Sequence, residues 1–164
     1  MKKIDYMSVA DEAMAKIKEG VFLTVKAGER LNTMTIGWAT IGYCWQKPIF
    51  MIMVRNSWHT FSIIEEAADF TVSIPALNMK NAVMYCGTQS GKDVDKFKEL
   101  GMETRAAQQT LSPIIDLPGL RIECRIVHKG AMDPQFLAEN YQHFYPDKDY
   151  HTLYFGEILE CYEI

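Results

Sequence analysis

Six stretches of the chain are rich in β-branched and aromatic residues and end at glycine, proline or polar turns. They predict strands at residues 21–27, 32–42, 48–55, 70–74, 120–129 and 151–162. In the fifth stretch Leu120, Ile122, Cys124 and Ile126 alternate with other residues, which predicts a strand with these four on one face. The segments 32–42 and 48–55 flank a polar turn and are expected to pair. The pattern therefore indicates a mainly antiparallel β-protein.

Helical spacing appears between these strands. It predicts a helix at 8–20 with Ser8 as N-cap and Gly20 as its end, and a helix at 57–68 with Asn56 or Ser57 as N-cap. Further helices are predicted at 78–87, 93–101 and 133–144. Helices inserted into a mainly antiparallel order favour a closed or partly closed barrel over a doubly wound sheet. A chain of 164 residues is expected to form one domain over residues 1–164.

Composition excludes several classes of protein. The hydrophobic fraction is 48%, the charged fraction 23% and the formal net charge −4. Without a basic cluster, nucleic-acid binding is not expected. The apolar run 49–54 is far shorter than the ~20 residues of a membrane-spanning helix, so no membrane association is expected. No apolar segment follows the basic start, and the cysteines lack paired spacing, so we expect a cytoplasmic protein with reduced thiols.

The end of the strand at 48–55 is the first candidate site. The chain turns at Arg55, and the first turn of the helix that follows exposes unpaired backbone N–H groups. Ser57, His59 and Thr60 surround these groups. Such a place binds phosphate or carboxylate. The alternative is an ordinary capped helix with a solvated or ion-paired arginine.

The second candidate site is the loop that follows Cys86. Gly87, Ser90 and Gly91 allow a close backbone approach to a ligand, and Lys92 and Lys96 would meet negative charge. The spacing is not that of a nucleotide phosphate loop, because the two glycines stand one residue too close and Asp93 occupies the Ser/Thr position. The alternative is a glycine turn before an Asp-capped helix.

His151 opens the last predicted strand, where it would face a site or make a structural hydrogen bond. The four histidines show no metal-ligand spacing with a cysteine or carboxylate, so no metal is expected. No G-x-G-x-x-G follows a strand, which excludes a Rossmann-type nicotinamide site, and the absence of G-x-S-x-G argues against a serine hydrolase.

Four segments, at 32–38, 54–60, 86–97 and 149–157, occur in the order seen in one family. The chain thereby resembles the flavin reductase-like, FMN-binding split-barrel proteins, the group that includes flavoredoxin. The resemblance covers nearly the whole chain. It implies a six-stranded antiparallel split β-barrel of Greek-key type, a homodimer, and FMN near the subunit interface.

The resemblance also implies roles for individual residues. The segment beside the flavin ring matches Asn32, Thr33, Met34, Thr35, Ile36 and Trp38. The phosphate-binding turn matches Val54, Arg55, Asn56, Ser57, Trp58, His59 and Thr60. A second cofactor loop matches Cys86, Ser90, Gly91, Lys92 and Lys96, and we expect the two lysines to stabilise the charge of reduced flavin. His151 matches a histidine on the substrate side and is the candidate catalytic residue.

Two features depart from the family pattern. Trp58 stands where the family often has a basic or smaller polar residue. The segment 133–145 is longer than in compact members, and it carries Phe136, Tyr141, Phe144 and Tyr145. We expect this segment to cover the exposed face of the flavin and to restrict access to it.

The function implied by the resemblance is an FMN-dependent oxidoreductase. It would pass electrons from NADH or NADPH through FMN to flavin, ferric or other acceptors. An alternative is an FMN-binding electron carrier that a protein partner reduces and that has no nicotinamide site. A barrel that has lost the cofactor ranks last, because Arg55, Ser57 and Thr60 are all present.

Overall fold

The computed structural model describes residues 2–164, and within them the chain forms ten strands, four α-helices and two short 3₁₀ helices. The strands are β1 (Lys2–Lys3), β2 (Val21–Ala27), β3 (Arg30–Ile36), β4 (Ala39–Cys44), β5 (Lys47–Arg55), β6 (Asp69–Pro75), β7 (Thr104–Arg105), β8 (Ile114–Ile115), β9 (Gly119–Ala131) and β10 (His151–Glu163). The α-helices are α1 (Tyr6–Glu19), α2 (His59–Ile64), α3 (Lys80–Thr88) and α4 (Lys96–Leu100). The 3₁₀ helices are Pro134–Phe136 and Glu139–Phe144.

Eight strands form one antiparallel sheet in the order β3-β2-β6-β9-β10-β5-β4, with β1 added to β10. The mainly β, antiparallel split-barrel class is confirmed, but the expected count of six strands is wrong. The predicted strand at 32–42 is in fact two strands, because the chain breaks at Gly37 and Trp38. β3 pairs with β2, whereas β4 pairs with β5, and the short β1 supplies the eighth strand.

The break at Gly37 and Trp38 shows how the barrel is split. β3 and β4 stand at opposite ends of the strand order, yet only these two residues join them. The sheet must therefore curl until its first and last strands meet. Among residues 2–164 no hydrogen-bonded ladder joins those two strands, so the seam stays open beside the end of β5.

The main core fills the inside of the curled sheet with residues from α1, α2 and six strands, including Phe50. Phe22 points to the other face of β2, where it packs with Val83, Cys86 and Ile115 in a second, smaller cluster. The predicted alternation on β9 is confirmed, because Leu120, Ile122, Cys124 and Ile126 all face the core. Arg121 and Glu123 on the opposite face are fully buried as well. The segment before β9 covers its outer face. Glu123 accepts hydrogen bonds from the backbone N–H groups of Gln108, Gln109 and Thr110, and Arg121 donates to three backbone carbonyls.

Several predicted helix ends are wrong. Helix α1 begins earlier, because Asp5 rather than Ser8 caps it by accepting from the N–H of Met7. Helix α2 has only six residues, and Trp58 stands at its N-cap position without a capping side-chain bond. Asn56 and Ser57 therefore do not cap it. Helix α4 begins at Lys96 because the Asp95 carboxylate accepts from two N–H groups of its first turn.

The segment predicted as one helix at 133–144 forms the two 3₁₀ helices. Leu137 and Ala138 are extended between them, so the helix cannot continue. Both helices lie in the connection between the two longest strands, β9 and β10. In the described part of the chain, no helix is long and apolar enough to cross a membrane.

Candidate functional site

Two clefts lie side by side where β3 passes the end of β5. The first, which we name the polar cleft, has a volume of about 170 Å³ and is lined by Asn32, Met34, Ser57, Trp58, His59, Thr60, Cys86, Gly87, Thr88, Gln89, Ser90, Gly91 and Lys96. The second, the aromatic cleft, has about 210 Å³ and is lined by Thr35, Ile36, Gly37, Trp38, Met53, Arg55, Trp58 and His151. Trp58 belongs to both. Each alone is smaller than the ~300–1,000 Å³ of most ligand pockets, so we treat them as two parts of one site.

The polar cleft is rich in hydrogen-bond donors. At the start of α2 the backbone N–H groups of His59 and Thr60 find no acceptor among residues 2–164. Hydroxyl groups of Ser57, Thr60 and Ser90 stand around them, and no Asp or Glu of the described residues lines the cleft. A ligand with several acceptor oxygens and negative charge, such as a phosphorylated polyol, fits this set of groups.

The loop after Cys86 closes the polar cleft by approaching β3 very closely. A Cβ atom at Gly91 would lie 2.1 Å from Oδ1 of Asn32, so any larger residue there would displace the Asn32 amide. The amide of Asn32 in turn donates to the hydroxyl of Thr60 over 2.8 Å. The loop backbone therefore approaches the side chain of Asn32, and this side chain connects β3 to Thr60 on the other wall of the cleft.

Lys96 is a buried cation in the wall of the polar cleft. Its ammonium group donates to the carbonyls of Thr33 and Cys86, each over 2.9 Å, and has no carboxylate partner within residues 2–164. Burial lowers the pKa of Lys96 and raises the pKa of the Cys86 thiol to about 11, and the two groups partly offset each other's shift. The ammonium group places uncompensated positive charge beside the cleft.

The turn at 55–57 already holds an anion of its own chain. The guanidinium of Arg55 donates to the backbone carbonyls of Asp149 and Phe144 over 2.8 and 3.1 Å. The Asp149 carboxylate accepts from the Ser57 hydroxyl at 2.7 Å and from its N–H at 3.3 Å. An anion site at this turn was predicted, but in this structure Asp149 is the anion. Arg55 lines the aromatic cleft rather than the polar one.

His151 is buried at the floor of the aromatic cleft, with its ring near those of Trp38, Trp58 and Tyr145. Its Nδ1 lies 2.8 Å from the hydroxyl oxygen of Tyr145. Burial, and then the positive charge of Arg55, lower the pKa of His151 to about 4, although Asp149 opposes the shift. The imidazole is therefore neutral near pH 7.

Most of the predicted cofactor residues come together. Those that line one of the two clefts are Asn32, Met34, Thr35, Ile36, Trp38, Arg55, Ser57, Trp58, His59, Thr60, Cys86, Ser90, Gly91, Lys96 and His151. Four side chains lie elsewhere. Val54 packs in the core inside the sheet, whereas Thr33 lies opposite Thr24 on the other sheet face and donates to the Leu23 carbonyl. Asn56 accepts from the Thr152 hydroxyl, and Lys92 lines a neighbouring groove beside Glu29.

The sequence did not single out Met53, Thr88 or Gln89 as site residues. Met53 follows from the strand register, since it lies opposite Leu153 on the same sheet face as the cleft. Asp149 and Tyr145 carried no motif that predicted their contacts with the turn and with His151. No group of three or more potential ligands among residues 2–164 is placed to hold a metal ion.

The family model described as the flavin reductase like domain matches residues 14–164. This chain belongs to that family. The resemblance seen in its motifs is thereby confirmed, and family membership supports flavin binding and flavin-dependent electron transfer. The donor-rich polar cleft beside an aromatic cleft agrees with a flavin nucleotide, which has a phosphorylated chain at one end and a planar ring at the other.

Solved structures share this flavin reductase like fold. Flavoredoxin of Desulfovibrio vulgaris is 25% identical, with 88% of this chain and 69% of that chain covered and a TM-score of 0.70. Flavoredoxin from Methanosarcina acetivorans is 25% identical, with 88% and 68% covered and a TM-score of 0.68. An NADH:FAD oxidoreductase of Streptomyces globisporus is 16% identical, with 100% and 88% covered and a TM-score of 0.68, and shows the fold alone.

Two archaeal proteins resemble the chain in sequence. An uncharacterized protein of Archaeoglobus fulgidus is 25% identical over 138 residues, which are 84% of this chain and 68% of that protein. One of Pyrococcus abyssi is 25% identical over 134 residues, which are 80% of this chain and 66% of that protein. The chain therefore spans about two thirds of their length.

Proposed function

We propose that this protein is an FMN-dependent oxidoreductase that takes electrons from NADH or NADPH and passes them to a flavin, a ferric complex or another acceptor. The observation that carries the proposal is the pair of clefts that meet at Trp58. One offers donors and positive charge for a phosphorylated chain, and the other offers aromatic faces for planar rings. Family membership supplies the flavin chemistry.

The residues of the polar cleft would hold the phosphate and the polyol of FMN. The free N–H groups of His59 and Thr60 and the hydroxyl of Ser90 are its neutral donors. The Lys96 ammonium adds a charge that favours the anionic phosphate and reduced flavin alike. Residues 34–36 of β3 line one cleft or the other, and their backbone groups would lie along the ring.

When bound, FMN supplies hydride acceptance and one-electron transfer, and the protein supplies orientation and electrostatics. In the aromatic cleft, Trp38 and Trp58 provide apolar faces that exclude water. His151 stays neutral there because of its burial, so it presents a polar nitrogen without adding charge. Arg55 keeps the segment before β10 against this cleft through the carbonyls of residues 144 and 149.

The second candidate function is an FMN-binding electron carrier reduced by a protein partner. It is favoured by the 25% identity to two flavoredoxins of known structure. The two candidates differ in whether a nicotinamide nucleotide reduces the protein directly.

The test is an absorbance spectrum of the purified protein after addition of FMN and gel filtration, followed by anaerobic addition of NADH and then NADPH. Retained flavin bands that bleach support the reductase and identify its donor. Retained flavin that stays oxidised favours the carrier. Protein that emerges colourless contradicts FMN binding. Thr60→Val is expected to retain less flavin, while Ser62→Ala, whose hydroxyl bonds only the His59 carbonyl, serves as the matched control.

We also infer a homodimer. Cross-strand pairs Met51–Phe155 and Met53–Leu153 form an apolar strip on the outer sheet face, and the exposed ring of Trp45 packs against Phe155 at its edge. A second copy of the chain would cover this strip. Sedimentation equilibrium is expected to give twice the monomer mass, and the Met51→Glu variant is expected to give the monomer mass.

A cytoplasmic location is part of the same proposal. The four free thiols agree with it, because the cytoplasm keeps thiols reduced.

A further inference from the structure

His151 has one engaged ring nitrogen and one free ring nitrogen. Nδ1 lies 2.8 Å from the Tyr145 hydroxyl oxygen. Nε2 has no hydrogen-bond partner within residues 2–164. Every fully buried side-chain nitrogen or oxygen in this part of the chain does have a partner, so Nε2 cannot be fully buried. Nε2 therefore reaches open space. Because His151 lines the aromatic cleft, that space is the cleft.

The Tyr145 hydroxyl decides which nitrogen carries the hydrogen. It has one hydrogen to donate and two acceptors in reach, Nδ1 of His151 at 2.8 Å and the thioether sulfur of Met132 at 3.3 Å. A thioether is a weak acceptor, whereas an imidazole nitrogen is a strong one. The phenol hydrogen therefore goes to Nδ1, and the hydrogen of the neutral ring is left on Nε2.

Tyr145 is itself held firmly, although the segment before it is exposed. Its side chain is buried, the Arg55 guanidinium lies 5.1 Å from its ring centre, and Tyr150 packs on it with ring centres 5.0 Å apart. The backbone N–H of Tyr145 donates to the carbonyl of Gln142. These contacts leave the hydroxyl a single place, against His151.

We propose that Tyr145 is a positioning residue that fixes His151 as the neutral Nε2–H tautomer, so that Nε2–H donates a hydrogen bond to a carbonyl oxygen of a planar ligand in the aromatic cleft. The carbonyl is that of a ring such as flavin or of a carboxamide such as that of nicotinamide. The nature of the ligand rests on the proposed function, whereas the tautomer rests on the chain alone. His151 thus selects ligands that present an acceptor in the ring plane.

The tautomer is measured first, without any ligand. Long-range ¹H–¹⁵N correlation spectra of the ¹⁵N-labelled protein at pH 7 are recorded, with His151→Asn to assign the signals. We expect the Nε2–H pattern for His151. Tyr145→Phe is expected to produce a mixture of tautomers, and Tyr150→Phe, which loses a hydroxyl that does not bond His151, to leave the pattern unchanged.

An Nδ1–H pattern in the unmodified protein, or a Tyr145→Phe spectrum identical to it, overturns the positioning role. If Tyr145→Phe does not fold, the spectrum of the unmodified protein still decides the tautomer. Addition of FMN, and then of NAD⁺, tests the donation. A shift of the His151 Nε2–H signal with FMN alone identifies a flavin carbonyl, and a shift only with NAD⁺ identifies the carboxamide. No shift with either contradicts the donation, whereas lack of FMN binding in the absorbance assay contradicts the proposed function instead.

Discussion

Replacing Arg55 with alanine tests whether this residue anchors the segment before β10. Its guanidinium donates to the carbonyls of Phe144 and Asp149, lies over the ring of Tyr145, and comes within 3.9 Å of the Asp149 carboxylate. Hydrogen bonds from charged donors contribute roughly 1.5–3 kcal/mol each, a cation–π contact ~0.5–1 kcal/mol and a partly exposed ion pair ~0–1 kcal/mol.

These contributions are not additive, and water reaches the freed carbonyls because the contact with Phe144 is exposed. We therefore expect Arg55→Ala to lower the local stability of residues 144–150 by roughly 2–4 kcal/mol, while the core of the sheet is retained. A loss of that size raises the population of the open form by roughly 30- to 1,000-fold.

The assay is amide hydrogen exchange of the protein without FMN. The informative amides are those of Tyr145, Lys148 and Tyr150, which donate to carbonyls two or three residues before them. Arg125→Ala is the matched control, since the exposed Arg125 pairs with Glu157 outside the segment. It should change exchange at 144–150 by less than about threefold. Equal exchange in Arg55→Ala and the unmodified protein would show that Arg55 does not anchor the segment.

Three other changes follow from the buried polar groups. The pKa of His151 is about 4 in the folded protein and ~6.5 in the unfolded chain, so between these values the folded state binds fewer protons. The free energy of unfolding therefore decreases as the pH falls from 6.5 towards 4, by roughly 3 kcal/mol in all. Urea unfolding at pH 7 and 4.5 should show a smaller decrease in His151→Asn, and equal decreases would contradict this. Glu123→Gln replaces a carboxylate by an amide among donors from Gln108, Gln109, Thr110 and Tyr162. The free energy of unfolding in urea should fall by roughly 2–4 kcal/mol, which is more than for Glu65→Gln at a more exposed site. Lys96→Met leaves the Thr33 and Cys86 carbonyls without their donor; we expect a loss of roughly 1–3 kcal/mol and weaker FMN retention, and unchanged retention would remove Lys96 from the site.

The sequence predicted the order of the elements well, because alternation and turn residues are local signals. The bounds of β2, β6 and β10 differ from the predicted ones by one residue at most. The break at Gly37 and Trp38 was missed, since strand-like residues stand on both sides of it. Which strand each half joins depends on how the sheet closes, and this is not encoded locally.

The candidate site was predicted to a similar extent. The motif segments converge on two adjacent clefts, but the motifs do not show which side chain faces the cleft. Thr33 and Met34 are neighbours in the strand and point to opposite faces. Arg55 donates hydrogen bonds to residues 144 and 149, which are far from it in sequence. His151 is hydrogen-bonded to Tyr145, which lies in the irregular connection before β10. Such contacts follow from tertiary packing alone.

The positions of the tryptophans allow intrinsic fluorescence to report on the site. Of the three in the chain, Trp38 and Trp58 line the clefts, whereas Trp45 stands at the hairpin tip between β4 and β5. A flavin absorbs light in the range where indole emits, so a flavin bound beside Trp58 would quench the tryptophan fluorescence of the protein. Trp45→Phe would remove the emitter farthest from the clefts. The remaining fluorescence would come from Trp38 and Trp58, and its decrease would measure cofactor binding without an added label.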